Sequence, residues 1–174
     1  MIPAILQQHP PDVALIQIGG NDISTEYYND LDAIASQLQE LARALRRGGV
    51  RRVFLGKLLF RAMNRRYLPT KMAVQVYNYK VRRINTFLDQ MAARLQREGI
   101  VVWNHKGREE CAQDWLADDG THLNARGAAK YWWSWRRALI STHTAWNGLS
   151  MRAFSQLLVV KRRPPVLIQF MLCI

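Results

Sequence analysis

Short apolar runs that alternate with long helical stripes constrain this chain more than any other feature of its sequence. Val13 to Ile18 is a nearly continuous apolar run that closes on Gly19-Gly20. A run this short and this apolar predicts a strand buried on both faces, as in a parallel sheet. Leu31, Ile34, Leu38, Leu41 and Leu45 then recur at steps of three and four, which puts them on one face of a helix. Asn29 or Asp30 suits its start, and Arg46-Arg47 followed by Gly48-Gly49 suits its end. Val53 to Leu55 reads as a second strand. A long helix from about Met72 to Arg97 carries the stripe Tyr77, Val81, Ile84, Leu88, Met91 and Leu95. Ile100 to Trp103 is a third strand after Gly99. Asn124 caps a final helix over roughly Ala125 to Ser141.

Strands that alternate with helices imply crossover connections, a parallel sheet and an α/β layer fold. Three strands are few for such a fold, so the sequence predicts an N-terminally incomplete sheet whose missing strands would precede Met1. At 174 residues, with 49% hydrophobic and 22% charged residues, the chain fits one domain with a real core. The predicted domain spans residues 1–146. Residues 147–174 show neither helical stripe nor turn grammar and are expected to be an irregular tail outside it.

Several function classes lose ground on composition. Cys111 and Cys173 make no disulfide framework, and His9, His105, His122 and His143 are too scattered for a metal cluster. No metal or cofactor is therefore expected. No apolar run approaches a membrane span, and residues 1–11 lack the pattern of a secretory signal, so the default expectation is a cytoplasmic location. The net charge of +12 favours an acidic or nucleic-acid partner through long-range attraction. Arg61, Arg65, Arg66, Lys71, Lys80, Arg82 and Arg83 surround Tyr67, Tyr77 and Tyr79, a mixture that suits single-stranded nucleic acid. The same residues also suit a solvated helix face beside a buried stripe. Tyr131, Trp132, Trp133 and Trp135 read as core packing of the last helix or as an acyl-binding wall.

Two strings carry chemistry. Gly19-Gly20-Asn21-Asp22 stands at the end of the first strand, where ligands of α/β sheets bind. An Asn side chain there can donate N–H to a developing oxyanion; it can equally bond its own backbone in a turn. Asp119-Gly120-Thr121-His122 brackets a tight turn before the final helix. Its spacing can bring the carboxylate against one imidazole nitrogen and leave the other as a general base; it can equally be a surface Asp-Gly turn.

Taken together, the strings are similar to blocks of a known family. Residues 11–22 resemble the third block of the SGNH (GDSL-type) hydrolases, and residues 117–127 resemble the fifth, within a likeness that covers residues 2–140. The resemblance implies a flavodoxin-like three-layer αβα fold and ester hydrolysis through an acyl-enzyme. It implies Asn21 as oxyanion-hole donor, His122 as general base and Asp119 as its orienting carboxylate. Gly19, Gly20 and Asp22 would border the substrate. It also implies a Gly-Asp-Ser nucleophile on the family's first strand, and this sequence contains no such tripeptide. Ser24, the serine nearest the asparagine, lies in the wrong block. The expectation is therefore a partial serine esterase with little or no activity, acting on an ester small molecule only when the missing segment completes it. The alternative is a catalytically dead domain that binds an acidic or nucleic-acid partner.

Overall fold

The structure, a computed structural model, describes residues 10–23, 30–63, 71–106, 113–144 and 169–171. The elements run β1 (Val13–Gln17), α1 (Leu31–Arg47), β2 (Arg52–Gly56), α2 (Lys71–Arg97), β3 (Ile100–Trp103), a 3-10 turn (Gln113–Trp115), α3 (Ala125–Thr144) and β4 (Gln169–Met171). The strands form one sheet in the order β3-β2-β1-β4, and every pairing is parallel. The expected α/β layering is thus observed, with the predicted helices and strands in place.

Alternation along the strands sorts the core into two layers. Ala14, Ile16, Val53, Leu55 and Ile100 point to one face. There they meet Ala35, Leu38, Ala42 and Leu45 of α1 and Tyr77, Val81, Ile84, Leu88 and Leu95 of α2. Leu15 and Phe54, one residue out of phase, point to the other face and meet Tyr131, Trp135 and Ala138 of α3. A period of two along each strand sends successive side chains to opposite sides. Both sides are therefore apolar because both are covered by helices.

The helix ends follow the expected chemistry. Asp30 Oδ1 accepts the Ala33 N–H at 2.9 Å, so Asp30 rather than Asn29 caps α1. Asn124 Oδ1 accepts the Gly127 N–H at 2.8 Å and caps α3, which runs three residues beyond the expected Ser141.

One boundary differs from the expectation. The apolar run near the C-terminus was expected to lie outside the domain, yet Gln169, Phe170 and Met171 pair with Leu15, Ile16 and Gln17 and form β4. The physical reason is the exposed edge of β1: an unpaired row of backbone donors and acceptors recruits an apolar segment that can complete its ladder. The rest of residues 145–174 lies outside the described residues.

The α2 stripe supplies a direct test of this core. Leu88 is fully buried, whereas Tyr79 on the same helix is 57% exposed. Leu88→Ala should cost about 2–5 kcal/mol in urea unfolding, and Tyr79→Ala only about 0.5 kcal/mol or less. Equal costs would contradict the assignment of faces.

Candidate active site

The carboxyl ends of β1 and β2 carry the residues of interest. The chain leaves β1 through Gly19, whose φ of +101° is unfavourable for any residue with a Cβ. A Cβ at Gly19 would also lie 3.2 Å from Leu58 Cδ2. Gly20 follows, and then Asn21 and Asp22, both exposed. The Gly20 carbonyl accepts the Tyr77 hydroxyl at 3.2 Å. Burial pushes the Tyr77 hydroxyl above its ordinary pKa, against the opposing pull of Arg61, so it stays protonated and able to donate. The Arg61 guanidinium lies 4.0 Å from the centre of the Tyr77 ring.

Two asparagines of α2 fix the segment leaving β2. Asn85 accepts the Leu58 N–H at 2.8 Å and donates to the Leu58 carbonyl at 3.0 Å. Asn78 does the same for Arg61, at 2.9 and 2.8 Å. Each side-chain amide thus stands in for a strand partner and satisfies both backbone groups of one loop residue.

The Asp119 turn docks on this clamped segment. The Ala62 N–H donates to the Gly120 carbonyl at 2.8 Å. Gly120 has φ +69°, and a Cβ there would lie 2.2 Å from the Ala62 carbonyl oxygen, so the position demands glycine. A small hairpin-like closure holds the turn from the other side, with Ala117 N–H donating to the His122 carbonyl at 2.8 Å and a bridge pairing Leu116 with Leu123. Within the turn, Asp119 Oδ1 accepts the N–H groups of Thr121 and His122 at 2.8 and 2.9 Å. Its other oxygen, Oδ2, sits 2.6 Å from His122 Nδ1.

This geometry sets the electrostatics. The Thr121 backbone N–H, the His122 ring and the His122 backbone N–H together lower the Asp119 pKa to about 2. The carboxylate is therefore ionised at neutral pH and holds the proton of His122 on Nδ1. Nε2, which makes no hydrogen bond within the described residues, is left as the basic nitrogen of a half-exposed ring. Such an arrangement can take a proton from an alcohol and stabilise the imidazolium that results.

Asp119 and His122 are thus in direct contact. Gly19-Gly20 and the Asp119 turn are joined through Tyr77, Arg61, Ala62 and Gly120. Ser24 lies outside the described residues. Among the described residues no group of three His, Cys, Asp or Glu side chains could hold a metal ion, and no helix is long and apolar enough to cross a membrane.

The basic and aromatic stretch comes apart in space. Tyr77 and Lys80 are buried, Arg61 packs on Tyr77, and Arg65, Arg66 and Tyr67 lie outside the described residues. Tyr131 and Trp135 pack in the core, whereas Trp132 and Trp133 are exposed. Sequence reasoning missed the role of His105. It is buried between Tyr131 and Trp135, with Nδ1 2.9 Å from Ser134 Oγ and Nε2 3.0 Å from Gln17 Oε1. Gln17 Nε2 donates to the Lys57 carbonyl, which fixes Gln17 Oε1 as an acceptor and the proton of His105 on Nε2. Ser134 also accepts the Trp103 indole N–H at 3.1 Å. These partners come from β1, β3, α3 and the segment after β2, so no local motif announces them.

The profile of the GDSL-like Lipase/Acylhydrolase family matches residues 2–130. No curated protein and no solved structure matches the chain.

The depressed carboxylate makes a pH prediction. A carboxylate whose folded pKa lies below its unfolded value of about 4 stabilises the fold above that value. The contribution is lost as pH falls towards about 2. The stability difference between the native chain and Asp119→Asn should therefore shrink as pH falls from about 4 to about 2. Urea unfolding across that range checks it. A difference that persists unchanged at the acid end would contradict the assignment.

Proposed function

Because the chain belongs to the GDSL-like lipase/acylhydrolase family, we propose that it supplies the acid-base pair and an oxyanion donor of a serine ester hydrolase. The observation that carries this reading is the Asp119–His122 contact at 2.6 Å, on a turn docked against the segment that leaves β2. In this reading His122 Nε2 takes the proton of a serine hydroxyl as that hydroxyl attacks the ester carbonyl. Asp119 holds the ring in the required tautomer and stabilises the imidazolium. The Asn21 side-chain amide donates to the oxyanion, and Gly19, Gly20 and Asp22 border the substrate. His122 then returns the proton to the leaving alcohol, and water repeats the sequence on the acyl-enzyme.

In this reading the sequence lacks the family's nucleophile motif, and Ser24, Ser150 and Ser155 lie outside the described residues. It contains no Gly-Asp-Ser. Ser36 lies exposed on α1, Ser141 donates to the Ala138 carbonyl, and Ser134 serves the buried His105 network. The chain by itself is therefore expected to turn over esters weakly or not at all, and to need a segment that brings the serine. Among the described residues Arg43, Arg47, Arg51 and Lys57 are each matched by a carboxylate, and no observation there favours the acidic or nucleic-acid partner suggested by the net charge.

The experiment compares this chain with a version extended through the codons upstream of Met1, both assayed on a short-chain aryl ester. The extended chain should turn over and lose about 10²–10⁴-fold in His122→Ala and about 10²–10³-fold in Asn21→Ala. No turnover by the extended chain, or turnover indifferent to both substitutions, would overturn the proposal.

A further inference from the structure

A cavity of about 280 Å³ opens beside the carboxyl ends of β2 and β3, walled by residues 57–60, by Asn104 and His105, and by the facing side of α2. It shares no residue with the Asp119 turn. Ligands of parallel α/β sheets bind at strand carboxyl ends, and the volume lies at the small end for ligand pockets, roughly 300–1,000 Å³. It suits a small molecule rather than a polymer.

Its walls are fixed before any ligand arrives. The Asn85 amide holds both backbone groups of Leu58, and Asn78 holds those of Arg61, so the loop between them is anchored at both ends. A cavity with pre-ordered walls spends little of its binding free energy on ordering them.

The lining sets the chemistry. Leu58, Leu59 and Phe60 make one wall apolar. Two cations face one anion: Lys57 Nζ sits 2.7 Å from Asp89 Oδ2, and the described residues place no carboxylate on Arg82, whose guanidinium lies 5.6 Å from the Phe60 ring centre. Among the described residues that line the cavity Asp89 already balances Lys57, which leaves the charge of Arg82 over. One surplus charge beside a hydrocarbon wall matches one negative charge on an apolar body.

We infer that this cavity binds a small aliphatic monocarboxylate, with the carboxylate on Arg82 at the mouth and the hydrocarbon against Leu59 and Phe60. A phosphate dianion fits less well, because it brings two charges to one unbalanced cation and has no apolar body. Monocarboxylates are also what ester hydrolysis releases, but the inference rests on the cavity and stands apart from the reading of Asp119 and His122.

Titration calorimetry on the full chain tests it, with butyrate, neutral butyramide and inorganic phosphate as probes. Butyrate should bind at least about tenfold more tightly than butyramide or phosphate, and Arg82→Gln should remove most of that preference. Arg82 is exposed on the helix surface, so this variant should fold; a circular-dichroism melt matching the parent checks that it does. In the folded variant, an unchanged butyrate preference would overturn the inference. So would butyrate that does not bind, or binds no better than butyramide or phosphate. Those results would leave the hydrolase reading intact, because Arg82 takes no part in that site.

Discussion

Burial of β1 and β2 on both faces is the constraint on which the other features depend. Ala14 and Ile16 need cover on one side, Leu15 on the other, and the neighbouring strand repeats the demand with Val53 and Leu55 against Phe54. Helices must therefore lie on both faces, and the strands must run parallel to let the chain cross over between them. Parallel strands end together. Their carboxyl ends gather the loops after β1, β2 and β3 along one edge of the sheet, and it is there that Gly19 to Asp22, residues 57–63 and the Asp119 turn are found.

Polar side chains from the core-facing helix then do what the sheet cannot. Beyond Lys57 the β2 segment has left the ladder, and its backbone groups need partners in a half-buried setting. Asn85 and Asn78 provide them at Leu58 and Arg61. That clamped backbone presents Ala62 to Gly120, and the Gly120 contact fixes where the Asp119 carboxylate and the His122 ring stand. The Asp119–His122 pair is thus positioned by a loop that is itself positioned by two amides in a helix.

Periodicity made the fold legible. The stripes of α1 and α2, the β1 run and the capping roles of Asp30 and Asn124 follow from local rules, because each involves residues a few positions apart. Asp119 and His122 were legible for the same reason: a gap of three places them on one turn. His105 was not. Its partners Gln17 and Ser134 are 88 and 29 positions away, and a lone histidine after a strand gives no sign of burial. The clamps by Asn78 and Asn85 were hidden in the same way, as polar residues on a helix otherwise read for its apolar stripe. β4 escaped because an apolar run becomes a strand only when another strand offers an edge.

In the proposed site the Asn21 loop and the His122 ring face one hollow. A nitroxide attached at Asn21→Cys, with Cys111 and Cys173 replaced by serine, reads this directly through paramagnetic broadening of the His122 ring proton signals. The account predicts that these signals are broadened away with the label oxidised and return when it is reduced. His122 signals of full intensity beside an oxidised label would place the two groups apart and contradict the account.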